Sequence, residues 1–183
     1  GVARYAGMIE YAHSIDQMAF RTNSLDRMKI DNAGHVIIGG GITLGNGGTY
    51  SAAKTISDYE EGNWTPTASG FTLAVSRASY TKIGRLVTVN FSLSVSAATS
   101  NGAAFNITGL PFSSSGATSE VTGSVMSSNL TYGSGKHLVL YKYTGSATLL
   151  MYSSQSGGAW VTVYNSGVST ATSLIGQITY PIS

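Results

Sequence analysis

From Arg85 to Val95 the chain alternates without a fault, with Val87, Val89, Phe91, Leu93 and Val95 on one side and Thr88, Asn90, Ser92 and Ser94 on the other. Successive strand residues point to opposite faces, so the pattern predicts a half-buried antiparallel strand. Other runs of strand character are Phe71–Val75, Ser79–Ile83, Ala103–Thr108, Glu120–Met126, His137–Tyr143, Ala147–Tyr152, Ala159–Tyr164 and Ser173–Tyr180. Turn signals separate them: Ser100-Asn101-Gly102, Gly133-Ser134-Gly135, Thr144-Gly145-Ser146, Gly157-Gly158 and Asn165-Ser166-Gly167. Short strands at this spacing predict an all-β domain, a β-sandwich or jelly roll.

The N-terminal region has a different pattern. Ser14-Ile15-Asp16-Gln17-Met18-Ala19-Phe20 returns ten residues later as Ser24-Leu25-Asp26-Arg27-Met28-Lys29-Ile30. Met8 keeps the spacing one unit earlier and Ile38 one unit later. Alternation puts Met18 with Phe20, and Met28 with Ile30, on one face of a strand. Asn32-Ala33-Gly34 reads as a tight loop, with Gly34 free to take positive φ. Strands this short cannot bury their apolar faces alone, and identical chains around an axis are the simplest supply of cover. The alternative is a β-meander packed on the larger domain.

Gly39-Gly40-Gly41 and Gly45 to Gly48 make a glycine-rich join. It holds no G-x-G-x-x-G or G-K-[ST] pattern, and no helical pattern follows on which an anion could sit, so it reads as a hinge. Ser51 to Ser57 is expected to form about two turns of helix. The predicted organisation is a β-repeat stalk over 1–44, a glycine-rich hinge with a short helix over 45–61, and a β-sandwich knob over 62–183.

Charge reinforces this division. Seven of the eight acids and five of the ten bases lie at or before Glu61. Beyond it Glu120 is the only acid, against Arg77, Lys82, Arg85, Lys136 and Lys142, a net of +4. The C-terminal surface is therefore built mostly of Ser, Thr, Asn, Gln and Gly, and it is predicted to fold with other subunits covering part of it. A net charge of +2 gives no reason to expect nucleic acid binding. The absence of cysteine excludes disulfides and Cys-based metal sites. Apolar runs of about six residues fall far short of the roughly 18 that a membrane helix needs. The chain opens on Gly1 rather than Met, and is read as a fragment.

Two stretches carry a resemblance. The run Ile9-Glu10-Tyr11-Ala12-His13, Met18-Ala19-Phe20-Arg21-Thr22-Asn23, Arg27-Met28-Lys29-Ile30-Asp31 and Gly34-His35-Val36-Ile37-Ile38-Gly39 resembles a segment common in tail fibres and tailspikes of tailed bacteriophages. Asp58-Tyr59-Glu60-Glu61-Gly62-Asn63-Trp64-Thr65-Pro66-Thr67, with Tyr80 to Val89 and Thr108-Gly109-Leu110-Pro111-Phe112, resembles the C-terminal domain of many such fibres. The resemblance covers roughly the first 112 residues, and Ser113 to Ser183 follow only by strand pattern. It implies an intertwined homotrimer with a β-rich stalk and a terminal knob. The tip of such a fibre contacts a bacterial surface polysaccharide (lipopolysaccharide or capsule) or an outer-membrane protein. The implied location is the virion, assembled in the host cytoplasm. Some relatives end in a self-cleaving chaperone, and nothing resembling one follows Ile178 to Ser183.

The residues favour binding over catalysis. Glycoside hydrolysis normally uses two carboxyl groups roughly 5–10 Å apart. Glu60 and Glu61 are adjacent and point to opposite sides of an extended segment, so they read as turn or trimer contacts. Glu120 stands alone, unless Asp16 of another subunit meets it. No G-x-S-x-G elbow accompanies the serines, and only His13, His35 and His137 could act as base. No two histidines lie two apart as in axial metal sites, so no metal and no cofactor are expected. Aromatic faces among neutral polar groups are the sugar-binding signature, and here these are Tyr132, Tyr141, Tyr143, Tyr152, Trp160 and Tyr164. Trp160 and Tyr164 share a face opposite Val161 and Val163, beside the loop tip at Asn165. The candidate ligand-binding set is Trp160, Tyr164, Asn165, Tyr132 and Tyr143, with Trp64 read as structural. The scattered cations read as solvated surface charges. The expected function is non-enzymatic host recognition. The alternatives are a polysaccharide depolymerase with an inter-subunit site and a purely structural trimerisation module.

Overall fold

The computed structural model describes residues 6–45, 48–99, 101–114 and 120–182. Asn46 and Gly47 of the glycine-rich join, and Ser100 of one expected turn, lie outside the described residues. The chain forms two units, Gly1–Asp58 and Tyr59–Ser183. All extended regular structure is β, and the only helical pieces among the described residues are two three-residue 3-10 turns.

The first unit is a four-stranded antiparallel meander of β1 (Gly7–Ala12), β2 (Gln17–Thr22), β3 (Leu25–Ile30) and β4 (Val36–Ile38). Its register lines up two apolar rows on one face. Ile9 pairs with Phe20, Phe20 with Met28 and Met28 with Ile38; Tyr11 pairs with Met18, Met18 with Ile30 and Ile30 with Val36. Directly paired residues share a face, so eight apolar side chains form one surface. Within the unit that surface is left open, with Ile9 71% exposed and Val36 56%. The opposite face is ionic: Arg21 bridges Glu10 at 2.7 Å and also Asp26, which Lys29 meets at 3.0 Å. Met8 pairs with Arg21 and so falls on this charged face, away from the methionines whose spacing it shares.

Between β3 and β4 the loop closes on Asp31. Its carboxylate accepts the Ala33 and His35 backbone N–H at 3.0 and 2.8 Å, and Gly34 takes φ +86°. The His35 ring lies against the same carboxylate, and this hydrogen bond lowers the Asp31 pKa. Downstream, β5 (Ile42–Thr43) pairs with β6 (Thr55–Ile56). The expected helix over 51–57 is only a 3-10 turn, Ala52–Lys54. Ser51 supplies no side-chain cap, and β-branched Thr55 and Ile56 are drawn into the pairing with Ile42 and Thr43.

The second unit contains β7 (Tyr59–Asn63), β8 (Thr67–Ala68), β9 (Phe71–Ile83), β10 (Leu86–Ala98), β11 (Asn106–Thr108), β12 (Val121–Ser128), β13 (His137–Lys142), β14 (Thr148–Ser154), β15 (Val161–Thr162) and β16 (Ser173–Pro181). The order β10-β16-β12-β13-β14-β11-β8-β9 returns to β10, so one antiparallel sheet closes into an eight-stranded barrel. A two-sheet sandwich was the sequence expectation. The difference lies in β9 and β10, thirteen residues each, which pair along almost their whole length with register shifts at Ser92/Leu93 and Val95/Ala97. Such bulges bend a strand and raise its twist, which lets a sheet curl until its edges meet. β7 adds along the second half of β9, and β15 along β14.

The barrel interior is a packed core, not a channel. Val87, Val89, Phe91, Leu93 and Val95 of β10 are buried, joined by Phe105, Ile107, Leu140, Leu149, Met151, Leu174, Ile178 and Tyr180. Trp64 enters the same core, edge-on to Phe91 at 6.2 Å. The outward row of β10 is Thr88, Asn90, Ser92 and Ser94, so this strand is apolar inside and polar outside. A membrane-spanning barrel has the reverse polarity.

Two cations expected on the surface are buried instead. Lys82 Nζ lies 5.3 Å from the centre of the Phe112 ring. Lys142, fully enclosed, donates to Ser114 Oγ at 2.5 Å and lies 4.7 Å from the centre of the Tyr180 ring. Both follow from alternation: Lys142 has the parity of Leu138 and Leu140 and must point inward. Burial pushes the Lys142 pKa down to about 8. The unfolded chain then binds more protons between about pH 8 and the ordinary lysine value of 10.5, so this group makes stability rise with pH across that window. Replacing the buried charge by an isosteric apolar side chain, Lys142→Met, is expected to stabilise the protein at pH 7 by about 1–3 kcal/mol. Urea unfolding midpoints at pH 7 and 9.5 would check this, because the gain should shrink at the higher pH.

Candidate functional site

The β13–β14 hairpin and its neighbour β12 bring the site together. Leu140 and Lys142 point inward from β13, so Val139 and Tyr141 point out; on β14 the inward residues are Leu149, Met151 and Ser153, leaving Tyr152 and Ser154 outside. Register sets Thr122 beside Tyr141 and Val139 beside Tyr152. After the turn at Gly157, Trp160 lies just ahead of β15, whose Thr162 pairs with Tyr152. The indole folds over both tyrosines.

The result is a cleft of about 220 Å³ on the outer barrel wall, lined by Thr122, Val139, Tyr141, Tyr152, Ser154 and Trp160. The Tyr141 and Tyr152 rings are nearly perpendicular, at 80° and 5.7 Å between centres. Trp160 stands 6.3 Å from Tyr141 and 6.2 Å from Tyr152, tilted by 34° and 46°. With 73% of its surface exposed, Trp160 contributes little to the core and much to the wall of the cleft. The influence of Glu120 raises the Tyr141 pKa.

Of the candidate ligand-binding set only Trp160 lines the cleft, joined by Tyr141 and Tyr152 from the wider group of aromatic residues; Tyr164, Asn165, Tyr132 and Tyr143 lie elsewhere. Tyr164 is exposed but bridges Ala104 through its backbone, outside the lining. Tyr132 is half-buried against the barrel core, and Tyr143 is exposed beyond the end of β13. Asn165 requires correction as a surface group. It is only 2% exposed, its Nδ2 donates to Asn101 and Ser69, and its backbone N–H reaches Ala103 at 2.9 Å. The expected loop tip is a 3-10 turn, Asn165–Gly167, pinned to the barrel by this asparagine. Val163 is buried as expected, whereas Val161 is 44% exposed.

Tyr141, Tyr152 and Thr122, with Val139 and Ser154, complete the lining. Counting back from the turn at Thr144-Gly145-Ser146 would have placed the two tyrosines on one face of neighbouring strands. Nothing local in the sequence places Thr122 there.

No known protein family, curated protein or solved structure matches the chain.

The arrangement suits recognition of a ring-shaped or cationic ligand: aromatic faces at several angles, with Thr122 and Ser154 hydroxyls at the margin. The other groups considered for chemistry are engaged locally. Glu60 and Glu61 accept the Tyr80 and Tyr59 hydroxyls, and His13 packs edge-on against Tyr11 at 4.6 Å. Among the described residues no three His, Asp or Glu side chains cluster as a metal site would require.

Proposed function

We propose that this protein is the tip region of a bacteriophage tail fibre, a homotrimer that recognises its host by binding a bacterial surface glycan in the Trp160 cleft. The observation that carries the reading is the cleft itself. A tryptophan 73% exposed has no role in the barrel core, whereas a sugar ring can stack on it. The resemblance of residues 9–39 and 58–112 to phage fibres supplies the biological setting. The trimer is supported by the stalk sheet, whose uniformly apolar face lacks cover within its own unit and suits identical copies around an axis. Three clefts per fibre would turn weak single-site binding into useful avidity. Binding is non-covalent, with no reaction of its own.

Trp160→Ala and Tyr152→Ala are the test. Each is expected to weaken glycan binding about tenfold per site, the equivalent of about 1.4 kcal/mol, and to reduce adsorption to host cells more steeply because three sites act together. Trp160→Ala should leave oligomer mass and thermal stability essentially unchanged. Normal adsorption by both folded variants would remove the cleft from the binding mechanism.

A further inference from the structure

A second hollow lies on the outer barrel wall, and its reading rests on the glycan assignment of the cleft. It encloses about 330 Å³, and its lining includes Arg77, Asn90, Ser124, Met126, Ile175 and Gln177. Strand β12 joins it to the cleft. Gly123 faces the core, where an added methyl group would meet Ile178, so Thr122, Ser124 and Met126 point outward. Thr122 lines the cleft and Ser124 lines the hollow, about 7 Å apart on one face of one strand. Neighbouring units of one sugar chain can therefore engage both.

Register gives the hollow three kinds of surface. Ser124 pairs with Gln177 and Gln177 with Asn90, a row of one hydroxyl and two carboxamides across β12, β16 and β10. Such side chains both donate and accept, as sugar hydroxyls require. In the next row Met126 pairs with Ile175, and at 68% and 47% exposed they form an apolar patch suited to the C–H face of a sugar. Ile175 pairs with Ser92 and Ser92 with Arg77, so a guanidinium ends this row. Among the described residues no acid lines the hollow, and no ion pair uses Arg77. The planar fork of an arginine fits a carboxylate on two N–H groups. One cation balances the single charge of a carboxylate, whereas a phosphomonoester carries nearly two.

We infer that the hollow is a second subsite for the same glycan and takes a sugar that carries a carboxylate. The carboxylate lies on the Arg77 guanidinium, the ring hydroxyls meet Asn90, Gln177 and Ser124, and the apolar face of the ring covers Met126 and Ile175. The cleft holds a nearby neutral unit on Trp160. The recognised polymer is thus an acidic polysaccharide, because a neutral one of equal length fills the cleft and leaves Arg77 unused. Arg77, expected from the sequence to be a solvated surface charge, becomes the residue that sets this specificity.

The test uses the intact chain, titrated calorimetrically at low ionic strength with a hyaluronan octasaccharide and with its carboxyl-reduced counterpart. Hyaluronan alternates a uronic acid with a neutral sugar, as the two subsites require. Wild type is expected to favour the acidic octasaccharide by about tenfold. Arg77→Gln should bring the two ligands near parity without moving the thermal midpoint, and Gln177→Ala should weaken both. Trp160→Ala should also weaken both while keeping the preference. Equal binding by wild type, a preference that survives Arg77→Gln, or failure of both ligands to bind overturns the acidic subsite. Binding that depends on Trp160 but not on Arg77 refutes the second subsite and spares the cleft. A preference lost in Arg77→Gln while Trp160→Ala changes nothing refutes the cleft reading, and with it the shared chain. A fall in oligomer mass on Met126→Ser, measured by light scattering, makes the hollow a contact between copies and also overturns the proposal.

Discussion

Phe91→Ala is expected to destabilise the barrel by about 3–5 kcal/mol, enough to consume much of the stability of an ordinary domain. Phe91 is wholly buried at the centre of β10, and its ring is met edge-on by Trp64. On β16 its direct partner is Gly176. A methyl group added there would stand 2.4 Å from Phe91 Cζ, so the ring occupies the space that a side chain at 176 would need. Gly176→Ala should therefore cost about 1–3 kcal/mol by overpacking, although its backbone is unstrained strand. The two changes should also couple. In the double variant the alanine methyl enters the cavity left by the ring, and the combined loss should fall below the sum of the single losses by about 1 kcal/mol or more. Denaturant unfolding followed by near-ultraviolet circular dichroism would measure all three. Strict additivity would mean that the ring does not fill the glycine's space.

The N-terminal sheet should be as sensitive, in a different observable. Phe20 lies in the middle of the row Ile9–Phe20–Met28–Ile38. Phe20→Asp would place a carboxylate at the centre of the face proposed to meet other chains, and a buried unpaired charge costs several kcal/mol at each copy. Light scattering should show the mass falling from three protomers of 19.0 kDa, about 57 kDa, to a single protomer. The barrel's near-ultraviolet signal should be retained. Lys29→Gln on the ionic face should leave the mass unchanged, because exposed ion pairs contribute about 1 kcal/mol or less. A monomeric wild type, or a Phe20→Asp variant of undiminished mass, would refute the trimer.

How far the chain could be read without its structure depended on how local each determinant was. Alternation along Arg85 to Val95 specifies which side chains are buried, because the period of two is a property of the backbone. The loop at Asp31 to His35 was equally legible, since a glycine at positive φ and an aspartate that accepts nearby N–H groups act within five residues. Strand register was not legible. It decides that Met8 stands beside Arg21, that the inward-pointing Lys142 meets Ser114, and that Asn165 holds Asn101 from inside a turn, and each of these rests on a partner remote in the chain.

The candidate site shows the same division. Trp160 was recognisable as an exposed aromatic beside a turn, but none of the companions first assigned to it, Tyr164, Asn165, Tyr132 and Tyr143, lines the cleft. Its spatial neighbours are Tyr141, Tyr152 and Thr122, set there by pairing between β12, β13, β14 and β15. The sequence by itself determined an all-β protein, the faces of its strands and the single carboxylate beyond residue 61. Only the tertiary structure decided that the sheet closes into a barrel, and that closure sets three aromatic rings and Thr122 around one space. Burial patterns are encoded residue by residue, whereas closure and convergence depend on register between strands far apart in the chain, which side-chain alternation alone does not specify.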